Sequence, residues 1–552
     1  MHARELPRRP DLVQYKKQAK ELVRLFRAGD QDFLQFGRLL KLIQQVHPKH
    51  KTKSEAEIRG AVFALSDAQL VLAREHGFAS WPVFARAVEA ARGGELVEVR
   101  EDADAAFLRA ACVPVNGDGH GSGNLEAAEA ILKAHPEVAG ASIYVAAALG
   151  DAEGVRRWLA KDAGVAEAKG GVYRWDALTY LCFSKYLRVL RQDAGRSEGF
   201  LAAARALLDA GASADTGWFQ ANDELMPFWE SVIYGAAGVA RHSEMTRLLL
   251  ERGADPNDEE TAYHAAEGYD LTVLRVLLES GKLNAESMTT LLVRKADWHD
   301  AAGIRMVLEF GGNAHLETRW RVSGLMAAVR RDNELENVAL MLGIAPNMGD
   351  EAVRASVRGA ASLAAMRGRG DVLSLFAERG VLPELAGVER LLEACACGDV
   401  PGVRAIAESE PGLIRELLAV GGSVLGRFAA NGNVEGIRLL LELGVDAAAT
   451  DSEGDAYFDI AKGGTGLHAA AWRMRHEAVA LLLERGVPVN ALDAKGRSAL
   501  QRAVVACVDS YWSRWRKPDS VEMLLRAGAS VAGIDFPSGY AEVDGLLREY
   551  GA

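Results

Sequence analysis

The chain has 552 residues, 49% of them hydrophobic and 25% charged, with a formal net charge of −12. That is several domain lengths of ordinary globular composition, which excludes a disordered or fibrous chain. No run approaches the ~20 apolar residues of a membrane helix, the charged start MHARELPRRP lacks the apolar stretch of a secretory signal, and the acidic balance argues against nucleic acid as a partner.

These features predict a cytoplasmic protein with no membrane contact. The five cysteines, Cys112, Cys182, Cys395, Cys397 and Cys507, form neither a disulfide framework nor a zinc spacing. They are expected to be reduced residues packed between helices. No cofactor and no metal site is expected.

Residues 1–100 predict a helical module. A first helix runs near Asp11–Ala28 and a second near Gln31–Val46. A polar loop with His47, Pro48 and Lys53 follows, then two helices with Ser66 and Ser80 as N-caps, ended by Gly93-Gly94. Basic residues, among them Arg8, Arg9, Lys16, Lys17, Lys20, Arg24 and Arg27, read as a solvated face. Ala73, Gly77 and Val83 have the spacing of a helix-turn-helix. The start Ser80-Trp81-Pro82-Val83-Phe84 is too apolar to read base edges, however. Trp81 is expected to anchor the module on itself or on the segment that follows, and DNA binding by this module is the weakest of three functional readings.

From residue 101 onward one phrase recurs. LLDAGASADTG (207–217), LLLERGADPND (248–258), VLLESGKLNAE (276–286), MVLEFGGNAHL (306–316), LLLELGVDAAA (439–449), LLLERGVPVNA (481–491) and MLLRAGASVAG (523–533) each end a leucine-rich helix on a glycine. Glycine in that place is the mark of a left-handed C′ residue. Shorter alanine-rich helices precede them, as in YVAAALGD (144–151), IYGAAGVA (233–240), YHAAEGYD (263–270) and LHAAAWRM (467–474). Between 340 and 430 the pattern fades, with Gly343, Gly380 and Gly421 keeping the rhythm. His468 reads as a structural imidazole bonded to backbone.

TGLHAAA (465–471) and LLLERGVPVNALDAKGRSAL (481–500) resemble the ankyrin pattern TPLHLAA…LLLxxGADVNAxDxxGxTAL. The segments LPRRPDLVQYKKQAKELVRLFRAGD and LSDAQLVLAREHGFASWPVFARAVEAAR are similar to the leader module of a group of bacterial ankyrin-repeat proteins. The resemblance implies an all-α fold: a helical module over 1–100, an α-solenoid of about twelve repeats near 33 residues each over 101–540, and a capping helix over 541–552. It also implies that partners bind the concave side formed by hairpins and first helices.

In repeats 170–325, aromatic residues and carboxylates depart from the leucine and alanine code. Tyr173, Trp175, Tyr180, Trp218, Trp229, Tyr234, Tyr263, Trp298, His299, Arg319 and Trp320 are the candidate ligand-binding residues. Trp175, Trp229, Trp298 and Trp320 are the expected anchors, with Asp176, Glu230, Glu267 and Arg319 for orientation. The partner is an unidentified protein or a small polar ligand. The alternative is a hydrolase acting on a polar or glycosidic substrate, with Asp176, Glu230, Glu267, Asp297 and His264 as acid–base candidates. The insertion Tyr511–Lys517 alternates rings and cations and fits either a ligand contact or an extended helix.

Overall fold

The computed structural model describes residues 4, 6, 10–29, 33–91, 102–113, 123–220, 225, 227–510 and 516–551. Arg8, Arg9, Gly93, Gly94 and most of the 511–517 insertion (Tyr511–Trp515) lie outside them. Among the described residues the fold is all-α apart from one two-stranded hairpin. It divides into two compact units, Met1–Asn313 with Glu317–Val322, and Ala314–Leu316 with Ser323–Ala552.

The first unit begins with five helices: α1 (Leu12–Ala28), α2 (Phe33–Val46), α3 (Glu55–Arg59), α4 (Leu65–Glu75) and α5 (Trp81–Ala91). Asp11 caps α1 by accepting from Val13 N at 2.9 Å. The expected loop after α2 contains α3, started by a capping box in which Glu57 accepts from Ser54 N at 2.8 Å. Ser66 is not a cap. It lies in the first turn of α4, where Asp67 accepts from Ala64 N at 2.8 Å and so satisfies the helix start.

Leu22, Leu39, Leu40, Ile43, Val71 and Leu72 make one core of this module, and Tyr15, Ala73, Phe84 and Val88 a second. Trp81 packs against both, as a self-anchor would. Val83 is 41% exposed while Phe84 is buried. The aliphatic lock of a helix-turn-helix is therefore missing, because α5 starts at Trp81 and turns Phe84, not Val83, inward.

Beyond residue 102, short and longer helices alternate in both units. In the second unit, helix Gly466–Trp472 packs between Pro411–Asn431 and Ala499–Val508, so first helices stack on first helices. The seven predicted C′ glycines all have positive φ, from 64° at Gly281 to 107° at Gly211. Gly343 and Gly380 do too. Gly421 does not: it sits inside the 21-residue helix Pro411–Asn431, which ends at left-handed Gly432. His468 plays its structural part, accepting from Thr465 N at 3.1 Å and reaching the carbonyls of Ala491 and Arg497. Four cysteines are buried and free; Cys397 is exposed, so it is not a packing residue. A last helix spans Ala541–Glu549.

Candidate functional site: the aromatic and acidic cluster of the first unit

The insertion after Thr216 folds into strands β1 (Gly217–Gln220) and β2 (Phe228–Ser231), paired antiparallel with Trp218 opposite Glu230. Gly217 is required here, since a Cβ would lie 2.2 Å from the carbonyl oxygen of Glu230. Opposed residues share one face of a hairpin, so the indole of Trp218 and the carboxyl of Glu230 project together.

Trp218 leads into a continuous series of ring contacts. Its ring centroid lies 4.8 Å from Trp175 and 6.0 Å from Phe183; Phe183 meets Tyr234 at 5.8 Å, Tyr234 meets His264 at 5.2 Å, His264 meets Tyr263 at 4.9 Å, and Tyr263 meets Trp320 at 5.8 Å. One end of this row is core. Trp175, Tyr180 and Tyr234 are buried, so Trp175 cannot serve as a surface anchor: Tyr173 stacks on it at 4.6 Å and Tyr180 packs against it at 5.1 Å. Tyr180 donates its hydroxyl to Gly170 O at 3.0 Å and accepts from Tyr173 N at 2.9 Å.

The other end stays half-buried. Trp229 rests edge-on against Phe219 and Trp298 edge-on against Tyr269. Arg294 stacks over Tyr263 at 3.9 Å and Arg319 over Trp320 at 4.6 Å. His299, next to Trp298, is a turn residue with φ 51°.

The carboxylates divide by partner. Asp176 caps helix Ala177–Cys182, accepting from Thr179 N at 2.9 Å and from Thr216 Oγ1 at 2.6 Å, so its oxygens are engaged in structure. Asp297 is ion-paired with Arg294. Glu259 pairs with Arg319 and with Lys41 at 3.3 Å. His264 bridges two acids, Glu267 at 3.0 Å through Nδ1 and Glu260 at 3.2 Å through Nε2. Burial alone would lower its pKa, but the bonds to Glu260 and Glu267 prevail and raise it to about 9. Glu267 also takes Arg294 at 3.1 Å.

Glu230 differs. It is 2% exposed, and its Oε2 is buried without a hydrogen-bond partner. Burial, then the charges of Glu260 and Asp258, push its pKa up to about 8. Asp258 is bonded by Ser231 and Thr261, with burial the larger influence, and is raised to about 6. Among the described residues no cation pairs with either acid. Trp218 Nε1 is likewise buried without a partner. No set of His, Cys, Asp and Glu among the described residues is placed to hold a metal.

The module at the N-terminus also reaches this cluster. Leu225 packs against its first core, Arg38 lies 3.9 Å over the ring of Phe228 and donates to Pro227 O at 3.4 Å, and Lys41 adds Glu286 at 3.5 Å to its bond with Glu259. Arg38 and Lys41 were legible only as a solvated basic face. Asp258, Glu259 and Glu260 were not among the candidates, although a carboxylate run beside an aromatic first helix was a usable signal.

Residues 425–535 match the family model of ankyrin repeats, in three copies. No curated protein matches the chain. The described residues contain no helix long and apolar enough to cross a membrane. The chain thus carries an ankyrin-repeat region within an all-α fold, and repeats of that kind are generally protein-binding scaffolds.

Proposed function

We propose that the chain is a protein-binding scaffold whose binding face in the first unit comprises Trp229, Tyr263, Trp298 and Trp320 with Arg294 and Arg319, and whose partner delivers a lysine or arginine side chain to Glu230. The observation that carries this reading is Glu230 itself. It is a buried carboxyl on a hairpin, opposite an indole N–H that also lacks a partner, in a cluster where most neighbouring acids have a cation. A buried acid without a donor is costly, and a guanidinium or ammonium group would satisfy it. The half-buried tryptophans and stacked arginines around it have the composition of binding hot spots.

A hydrolase reading finds less support, because Asp176 is committed to a helix cap and Asp297 to Arg294. The test is thermal unfolding of the full chain with a source-cell extract split into macromolecular and small-molecule fractions, repeated on Glu230→Gln. A partner that binds only the native state raises the melting temperature by mass action. Stabilisation by the macromolecular fraction that is lost in the variant supports the scaffold. Stabilisation by the small-molecule fraction alone overturns it in favour of a ligand or substrate site.

A further inference from the structure

In the second unit the turns between paired helices carry arginines in a repeated place. Arg330 and Arg331 end helix Gly324–Arg330, Arg367 and Arg369 join Glu351–Met366 to Gly370–Glu378, and Arg473 and Arg475 join Gly466–Trp472 to His476–Glu484. They surround Asp332, which accepts from Arg367 Nε and Nη2 at 2.6 and 2.7 Å, from Arg473 Nη1 at 3.1 Å and from Asn431 Nδ2 at 3.1 Å. Asp455 takes a further Nη1 of Arg367 at 3.4 Å. Phe458 lies under Arg473 at 4.2 Å and Tyr457 under Arg331 at 3.7 Å, which fixes the guanidinium planes.

Arg369 is the unsatisfied member. Its Nε and Nη2 hold Asp371 at 2.8 Å each, so Nη1 points away from that carboxylate. The side chain is 8% exposed, and Nη1 is buried with no partner. The glycines on either side of it are closely packed. Gly368 has φ 70° with Phe428 where a Cβ would stand, and a Cβ on Gly370 would lie 2.1 Å from Ala396 O. Among the described residues, six arginines here face the carboxylates Asp332, Asp371, Asp455 and Glu334. Burial and then the neighbouring arginines lower Arg473 to about 10 and also lower Arg475 and Arg330, as expected where positive charge is in excess.

We propose that this cluster is an anion site for the dianionic phosphate of a phosphate monoester, with Arg369 Nη1 and Arg475 as donors. Arg475 is anchored through Nε to Ala430 O at 3.0 Å, which leaves its terminal nitrogens for an acceptor. A phosphate has three acceptor oxygens and a charge close to the excess, and guanidinium forks suit its geometry. The ankyrin pattern fades over 340–430, and Arg367 and Arg369 fall inside that stretch.

The test is thermal unfolding of the full chain with inorganic phosphate against sodium chloride at equal ionic strength, on wild type, Arg369→Gln, Arg475→Gln and the exposed control Arg404→Gln. Phosphate at about ten times its Kd is expected to raise the wild-type melting temperature by about 3 °C. The control should keep that shift, and both cluster variants should lose most of it. O-phospho-L-serine amide and a phosphoserine peptide separate a small-molecule source from a protein source by which shifts the curve at lower concentration. Hydrogen exchange on wild type provides an independent reading, with phosphate slowing the amides of 364–372 and 470–477. A wild-type shift no larger than chloride produces, or exchange unchanged in both segments, overturns the proposal.

Discussion

Replacing Glu230 by glutamine should make the first unit less sensitive to alkaline pH. An unfolded Glu titrates near 4.5, whereas burial, Glu260 and Asp258 raise folded Glu230 to about 8. Between those values the unfolded chain has lost its proton and the native chain still holds it. Stability therefore falls as pH rises, by about 1.4 kcal/mol per pH unit, and the whole window amounts to about 5 kcal/mol. Below 4.5 both states are protonated and the effect vanishes. Glutamine mimics the protonated acid in shape and never ionises. Calorimetric unfolding from pH 5 to 8.5 should show the two proteins coinciding near pH 5, with the variant more stable by several kcal/mol at pH 8.5. Hydrogen exchange of the 217–231 amides should show the same ordering locally, which matters because a chain of two units need not unfold in one step. Parallel pH profiles for wild type and variant would refute the assignment of Glu230 as a buried acid without a cation.

Four further outcomes follow from the same geometry. His264, raised to about 9 by Glu260 and Glu267 against its burial, stabilises the fold below its ordinary value of 6.5, and that contribution is lost as pH climbs through 9; His264→Gln should flatten the alkaline limb seen by calorimetry. Asp332→Asn strands Arg367 and Arg473 in the interior, and the second unit should lose about 3–5 kcal/mol in denaturant unfolding. Asp176→Ala removes a helix cap and the bond from Thr216, costing about 1–2 kcal/mol without changing any partner affinity measured by titration. Arg38→Ala removes the stacking on Phe228 and should speed hydrogen exchange around Pro227–Trp229, leaving the second unit unchanged.

Much of the fold was legible because repetition multiplies weak signals. One glycine after one helix means little, but seven in the same phrase require the same left-handed backbone, and all seven have it. Gly421 misled because a glycine can serve close packing as well as a turn: Gly421 and Gly422 let helix Pro411–Asn431 approach Val445 and Thr450. Local capping was harder to read. Ser66 is a good cap by type, yet Asp67 one position later reaches the free amide of Ala64, and the geometry of the helix start decides between them.

The site was legible as a region and less so as roles. Composition marks Trp175 and Trp320 alike, but the stacking order that buries one and half-exposes the other depends on contacts between repeats. A carboxylate three residues before a threonine, as Asp176 is before Thr179, carries a cap signature that its aromatic neighbours obscured. Glu230 was visible as a candidate. What isolates it, a cross-strand indole and the missing cation, exists only in the folded hairpin.

The most direct test of the binding account is to recover a partner on the full chain from source-cell extract and measure its affinity against Glu230→Gln, Trp320→Ala and the second-unit surface variant Val505→Ser. The account predicts at least tenfold weakening by each of the first two, as for hot-spot residues, and no change for the third. A partner that binds Glu230→Gln and Trp320→Ala as tightly as wild type would contradict it.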